Sequence, residues 1–383
     1  MNLTPLRRGF LLGLFMAITI LDAEQKLKEF VQFPFDLYAQ NPYWVGELKA
    51  DTIHLLRTDN VFWSHARRKL LLAYKDGKLV GRLCALVNDT YNQYHKENIG
   101  FFGFFDCIND TEVSHALFTE GEKWLRTQGV RAVRGPANPS SNHPYGLLIE
   151  GFDSMPAIMM PYNFPYYAEL IEKEGFAKVK DLLAFERTRD DKFSPLFEKI
   201  VARASRAKGV TLRRIDLKNL QKEASSIRKI YNDSWADNWG HTPISEEEIQ
   251  DMVKELKPVL RVEGTCVVEV EGVPAGFYIA IPNMNYVLKI LRGSLANPLR
   301  VLKALWAWKH IRDARLIMLG VDPAHRKRGL DLVLINHIVK YGVAIWDKAE
   351  LSWVLEDNEG IIRAMTEAGC YPIKRYRLYQ KEL

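Results

Sequence analysis

The chain has 383 residues, 47% hydrophobic and 26% charged, which excludes a disordered or collagen-like chain and leaves room for two domains of about 150 residues. No apolar run approaches the ~18 residues of a spanning helix, and four isolated cysteines with nine histidines outside HExxH or HxxxH spacing give neither a disulfide scaffold nor a metal site and fit a reducing cytosol. The net charge of +6 is local: Asn285–Arg328 holds ten Lys/Arg against Asp313 and Asp322, so the rest of the chain sums to −2, and such a patch points to an anionic ligand or surface and not to a nucleic-acid coat.

At the amino terminus Arg7 and Arg8 precede the apolar stretch Phe10–Leu21. This mimics a signal peptide but lacks a small-x-small cleavage site. Ala17–Leu21 reads as a buried first strand, because Asp22 then opens a helical pattern through Leu27, Phe30 and Val31. On this reading Met16 is a candidate start and residues 1–15 are an extension. An uncleaved, membrane-associated leader is the other reading.

The chain then repeats itself. Leu71 to Gly81 is a strand, a turn at Gly77 and a second strand, and Val267 to Gly276 has the same form around Gly272, an offset of 195. Gly175 and Gly369 each end a helix and enter a strand, an offset of 194. Each copy opens with a short strand and a helix: Ala17–Leu21 with Glu24–Leu37, and Val210–Ile215 with Lys218–Trp235. Two α/β units with mixed sheets are expected, 16–190 and 195–383, divided near Thr188–Ser194.

Copy one carries a proline-rich loop, Gly135 to Tyr167, with Asn138, Asn142 and Tyr145. A long, stiff loop inside a compact domain either serves a site or only braces the packing. Copy two begins with a helix ending Tyr231-Asn-Asp-Ser-Trp235-Ala-Asp-Asn238-Trp239-Gly-His241, in which Trp235 and Trp239 share a face. Asn297-Pro298 then starts a helix whose apolar residues, Trp306 and Trp308 among them, alternate with Arg300, Lys303, Lys309 and Arg312. Residues 297–313 read either as a membrane-surface helix or as a core helix with snorkelling basic side chains.

Next, the strand Leu316–Val321 leads through Asp322-Pro-Ala-His-Arg326-Lys327-Arg328-Gly329-Leu330-Asp331 into an apolar-periodic helix. A basic glycine loop at a helix N-terminus is an anion site, with free N–H groups and the helix dipole facing the ligand. Gly329 admits close backbone approach, and Arg326 and Arg328 add charge-assisted bonds. The corresponding stretch of copy one, Phe104 to Glu112, has three acids and neither glycine nor arginine. It should repel a pyrophosphate.

The loop resembles the coenzyme A loop of the GNAT acyltransferase superfamily, Arg/Gln-x-x-Gly-x-Gly/Ala, with Asp331 at the final small position. The resemblance implies tandem GNAT folds, the first degenerate, with acyl-CoA as co-substrate and no metal. It implies cofactor contacts at Val321, Arg326, Lys327, Arg328, Gly329, Leu330 and, downstream, Asn358. The family's tyrosine acid falls on Met365, so the acid is unassigned. Glu356, at the end of the next strand, is the candidate base, with Asp331 as second choice; a helix-start carboxylate is the other reading of Glu356. Asn138, Asn142, Tyr145, Trp235, Asn238 and Trp239 are the candidate acceptor-site residues.

Taken together, Gly-Phe-Phe-Gly-Phe-Phe (100–105), Gly-Pro-Ala-Asn (135–138), Met-Met-Pro-Tyr-Asn (159–163) and Tyr-Asn-x-x-Trp-x-x-Asn-Trp-Gly (231–240) resemble the YghO-like family, which includes bacterial ceramide synthases. Three readings stay open: a long-chain N-acyltransferase acting on a sphingoid base, a GNAT enzyme acting on a small soluble amine or peptide, and a non-catalytic acyl-CoA-binding protein. The implied location is cytoplasmic, with peripheral contact at the inner membrane face in the lipid reading.

Overall fold

The computed structural model describes residues 18–383 except Val343; the readings placed on residues 1–17 lie outside the described residues. In the first repeat the elements are β1 (Ile18–Asp22), α1 (Leu27–Leu37), α2 (Lys49–Leu56), β2 (Ala66–Lys75), β3 (Lys78–Asn88), α3 (Asp89–His95), β4 (Ile99–Cys107), α4 (Thr111–Thr127), β5 (Ala132–Gly135), β6 (Leu147–Glu150), α5 (Tyr167–Lys173) and β7 (Ala177–Thr188). After a connecting helix, α6 (Pro195–Ser205), the second repeat follows: β8 (Val210–Arg213), α7 (Leu220–Trp235), α8 (Glu246–Leu256), β9 (Thr265–Val270), β10 (Val273–Pro282), α9 (Asn285–Leu291), α10 (Pro298–Lys309), β11 (Asp313–Val321), α11 (Leu330–Gly342), β12 (Lys348–Leu355), α12 (Glu359–Glu367) and β13 (Tyr371–Glu382).

The repeat seen in the sequence is a structural one. The β2–β3 and β9–β10 hairpins both turn with two residues at positive φ, Asp76–Gly77 and Glu271–Gly272. This turn matches the right-handed twist of the flanking strands and favours glycine at its second position. Deep in copy two, β11 alternates between the α7 face and the α11 face: Met318 packs with Ile227 and Phe277, while Leu316, Leu319 and Val321 pack with Leu330 and Leu334.

All the strands join one sheet, in the order β1-β2-β3-β4-β5-β13-β7-β12-β11-β10-β9-β8, with β6 also on β13. Matched strand for strand between repeats, this order reads the same from both ends. The last strand of each repeat is exchanged: β13 pairs antiparallel with β5 and β7 pairs antiparallel with β12. Each repeat therefore lends its final strand to the other's half. One expectation fails here. Among the described residues the first strand is an edge strand, paired only with β2 and half exposed, with Leu21 38% accessible. Over Ile18–Asp22 the side chains are partly or fully exposed, as on a strand with one neighbour.

The exchanged strands are locked by Asp181 of β7, which is 1% exposed. Arg377, directly opposite on β13, donates to its two oxygens at 2.9 and 3.1 Å, and Lys178 lies 3.1 Å away. Burial alone would raise this carboxyl, but Arg377 and Lys178 hold it below the usual carboxylate range. Its own backbone joins β12's end: Glu356 N–H donates to Asp181 O at 3.1 Å, and Asp181 N–H donates to Glu356 Oε1 at 3.0 Å. Asp181→Ala removes the buried acceptor of the two hydrogen bonds from half-buried Arg377 across the exchange, while Lys178 keeps Glu356. It should cost about 2 kcal/mol and lower the denaturation midpoint of the whole chain, which urea unfolding followed by tryptophan fluorescence will measure.

Candidate active site

The site forms where parallel strands part. β11 and β12 pair only from Asp313/Lys348 to Leu316/Leu351. Beyond that they diverge, and the widening gap opens toward the loop between β11 and α11. In the loop Lys327 and Gly329 have φ of 61° and 75°. A Cβ at Gly329 would also meet Ile200 and Ala204 of α6 at 3.2 and 3.3 Å, so glycine is required twice over. The first backbone bond of α11 is Val333 N–H to Gly329 O, 3.0 Å. Among the described residues, no backbone N–H from Lys327 to Leu332 has an acceptor. Arg326 is turned aside, donating to Ser234 O at 2.8 Å, and Arg328 donates to His325 Nδ1 at 2.9 Å. Lys327 is exposed and has no ion pair among the described residues. Six N–H groups without an acceptor, a helix dipole, and Lys327 and Arg328 make an anion cradle, while Arg326 is paired with Asp237 at 3.5 Å.

The matching place in copy one is closed. Asp110 caps α4 with its own carboxylate, accepting from Glu112 N–H at 2.9 Å and Val113 N–H at 3.4 Å. Lys75 neutralises it at 2.6 Å. The gap between β4 and β5 is filled from within: Asn138 Oδ1 accepts from Phe104 N–H, and Ala137 N–H donates to Phe102 O. A Cβ on Gly103 would lie 1.7 Å from Ala137 O. The candidate acceptor residue Asn138 is thus placed in copy one's own gap.

The proline-rich loop crosses from copy one onto the opposite face of copy two. Asn142 donates to Thr242 O at 3.2 Å and accepts from Tyr231 Oη at 3.0 Å. Ile158 O accepts from Arg315 of β11 at 2.8 Å, and Pro156 O accepts from Asn285 Nδ2 at 2.9 Å. Trp235 stacks on Tyr231 and donates its indole N–H to Leu319 O, 3.2 Å, inside the gap of β11. Tyr145 is buried 6.0 Å from Trp353. Asn142, Tyr145 and Trp235 are brought together here. Trp239 instead packs between the Arg134 guanidinium and the Lys180 ammonium, 4.8 and 5.6 Å from its ring centre. Asn238 contributes backbone: its N–H donates to Trp235 O, and its carbonyl accepts from His241 N–H.

Among the described residues, four buried polar atoms of three residues on this face have no partner: both ring nitrogens of His241, Trp353 Nε1 and Tyr376 Oη. Buried polar groups are nearly always satisfied, so such a cluster calls for a reason. His241 lies against Tyr231 and Trp235 at ring distances of 5.4 and 6.4 Å, and burial lowers its pKa to about 4. Below the face, Glu350, Ser352 and Arg315 form a buried network: Ser352 donates to Glu350 Oε1 at 2.8 Å and Arg315 donates to Ser352 Oγ at 3.0 Å. Burial pushes the Glu350 carboxyl up against the pull of Arg315. His241 closes the aromatic string already legible as Tyr231–Trp239. Its role was missed because it follows the helix and is not at a strand end, and Glu350 and Tyr376 sit in strands that show no motif.

The sequence-stated candidates elsewhere are placed as follows. Glu356 lies in the strand joint, its second oxygen 2.7 Å from Lys178 Nζ, so both oxygens are engaged. Asp331 sits half-buried in the first turn of α11, with no hydrogen bond or ion pair among the described residues. Asn358 caps α12 by accepting from Ile361 N–H at 3.2 Å. Among the described residues no group of three His, Cys, Asp or Glu could hold a metal ion, and no helix is long and apolar enough to cross a membrane.

No family model matches the chain. Its fold is that of tandem GNAT acyltransferases. It is similar to a tandem GNAT protein from the clavulanic acid biosynthesis pathway, at TM-score 0.54 and 13% identity over 96% of this chain and 98% of that one. It is also similar to a GCN5-related N-acetyltransferase from Sphaerobacter thermophilus, at TM-score 0.51 and 14% identity over 95% of each. The chain is 34% identical to protein YghO of Escherichia coli over 93% of both. It is 32% identical to the bacterial ceramide synthase of Caulobacter vibrioides, over 94% of this chain and 95% of that protein. The chain belongs to the family that contains these two proteins.

Two outcomes follow from the site. Lys327→Glu, on an exposed side chain, and Gly329→Asp should each weaken CoA binding by about 10-fold or more in calorimetry, while Asn109→Asp in copy one leaves it unchanged. The unfolded chain protonates His241 near the ordinary histidine value of 6.5 but the folded chain only near 4. The unfolded chain therefore holds more protons in that window, and stability falls as pH drops through it. His241→Leu should lose less stability than wild type between pH 7 and about pH 4.5, measured by urea midpoints.

Proposed function

We propose that the protein transfers an acyl group from coenzyme A to the amine of a long-chain lipid, a sphingoid base being the acceptor that the relative's name supports. The observation that carries this reading is the asymmetry of two helix N-termini, α4 closed by Asp110 and α11 left bare beside Lys327 and Arg328. The pyrophosphate is held at Lys327–Leu332, and the thioester lies between β11 and β12. The amine approaches from the face of Tyr231, Trp235 and Tyr145. Its nitrogen attacks the thioester carbonyl; a C–N bond forms, the C–S bond breaks, and the thiolate takes up a proton on leaving.

A free alkylamine is mostly protonated near neutral pH. An aromatic, buried site disfavours the ammonium form, and neutral His241, with both nitrogens unpartnered, takes the proton as the bond forms. Glu356 and Asp331 are the other candidates for this step. The engagement of Glu356 by Lys178 favours His241. His241→Ala should lower kcat by about 100-fold with acyl-CoA affinity unchanged, while Glu356→Gln lowers thermal stability without a selective loss of kcat. The reverse pattern assigns the base to Glu356.

A lipid acceptor fits the outer surface of α10. Leu299, Leu302 and Trp306 are 76%, 65% and 65% exposed, and Lys303 and Lys309 are exposed among them. Val301, Ala304 and Trp308 face inward, onto α9 and Leu48. The two tryptophans therefore part company: Trp306 is available to a membrane and Trp308 is not. An apolar stripe with interspersed cations is the pattern of a helix lying on an anionic bilayer. Co-sedimentation with phosphatidylglycerol vesicles should weaken with salt and be lost in Leu302→Ser/Trp306→Ser. Full retention by that variant counts against the lipid reading.

A further inference from the structure

The helix that joins the repeats, α6, carries Lys199, Arg203 and, at its C-cap, Arg206. The spacing i, i+4, i+7 puts them on one face. All three are exposed, and among the described residues none of their side chains has a hydrogen bond or an ion pair. The row flanks the anion cradle. Ile200 and Ala204, next in sequence to Lys199 and Arg203, are the residues that a Cβ on Gly329 would meet, at 3.2 and 3.3 Å. Phe197 and Val201 of the same helix turn into the core with Leu330 and Leu334 of α11. The one acid of α6, Glu198, stands about 200° around the helix from Ile200, away from the loop. Lys327 and Arg328, both exposed, continue the positive surface across the loop.

This patch is separate from the surface of α10. α6 packs on the α11 face of the sheet, whereas α9, on which α10 packs, is tied to the loop on the α7 face. The row is also longer than coenzyme A needs. Lys199 and Arg206 are about 10 Å apart along the helix axis. Beyond its pyrophosphate, coenzyme A carries one further phosphate, a compact group that one or two side chains satisfy. Cations spaced i, i+4, i+7 instead match carboxylates spaced the same way on a second helix. The cradle itself asks only for a phosphate joined to pantetheine, and small acidic carrier proteins bear that group on a serine.

We propose that α6 is the docking surface for an acidic carrier protein whose phosphopantetheine arm enters the cradle and brings an acyl thioester to the gap between β11 and β12, as a second donor beside acyl-CoA. The assignment rests on the acyl-transfer reading. The step is the same with either donor: the acyl carbon leaves the pantetheine sulfur for the amine nitrogen, the amine gives up a proton and the thiol regains one. The row steers the carrier into contact and fixes its orientation, a contribution that salt screens.

The test uses the full chain with sphinganine as acceptor and two donors, palmitoyl-CoA and a bacterial acyl carrier protein loaded with palmitate. In wild type both react, and kcat/KM for the carrier donor falls as salt is raised. Lys199→Glu/Arg203→Glu/Arg206→Glu, all on exposed side chains, should lower kcat/KM for the carrier donor by about 10-fold or more and change that for palmitoyl-CoA by less than about 3-fold. The charge-keeping Lys199→Arg/Arg203→Lys/Arg206→Lys should retain both. An equal loss with the two donors assigns the row to the remaining phosphate of coenzyme A and overturns the proposal. Turnover of palmitoyl-CoA alone, or carrier turnover untouched by the charge reversal, also overturns it. If neither donor reacts, the acyl-transfer reading fails by itself. Docking is then decided by calorimetry with the unacylated carrier protein bearing its phosphopantetheine arm: binding that the charge reversal abolishes upholds it, and no binding, or binding that the reversal leaves intact, overturns it.

Discussion

The Asp181–Arg377 pair is the interaction on which the architecture depends. A carboxylate this deeply buried costs several kcal/mol unless paired, and its partner comes from the strand opposite, nearly 200 positions later in the chain. The pair requires β13 to lie beside β7. With β13 there, β5 gains its second neighbour, β7 is free to reach β12, and the two repeats close into one sheet. Glu356 and Lys178 belong to the same joint. This is why a carboxylate at a strand end, the usual position for chemistry, serves cohesion here.

With the backbone duplicated, the difference between the copies lies in what fills equivalent spaces. In copy one the strand gap holds Ala137 and Asn138, the helix N-terminus holds Asp110, and the space under α1 holds Phe30, Phe104 and Arg82. In copy two the loop before α11 carries Gly329 and no capping carboxylate of this kind, leaving the N–H groups open, and β11 and β12 part beyond Leu316 and Leu351. Copy one then supplies the wall of the site it no longer has. Its loop reaches Tyr231, Thr242 and Arg315 of copy two by hydrogen bonds. The loop's alternative reading, packing alone, describes its copy-one end, where Asn163 is bonded to Leu148 on both sides.

The two faces of the sheet differ in character. The bare N-terminus of α11 is cationic and open. The opposite face, under the loop and α7, is aromatic and closed, with unpartnered polar atoms of His241, Trp353 and Tyr376. Desolvation there favours a neutral amine and a neutral imidazole alike. α9, on which α10 packs, is tied to the loop through Asn285 and Pro156.

The sequence alone determined the duplication, the element order of each repeat and the anion loop. These are local: a turn glycine, a helix-breaking glycine and a basic loop before an apolar-periodic helix all act within a few residues of themselves. Asp110 and Gly329 likewise show in the sequence which helix N-terminus carries its own carboxylate and which does not, since a cap is decided by one side chain. Only the tertiary structure decided the exchange of β7 and β13, the engagement of Glu356, the inward turn of Trp308 and outward turn of Trp306, and the meeting of Asn142 with Tyr231. Each of these depends on which of two chemically adequate neighbours lies closer in space. That choice is made by the burial of distant side chains such as Asp181 and Arg377, and it leaves no periodic trace along the chain.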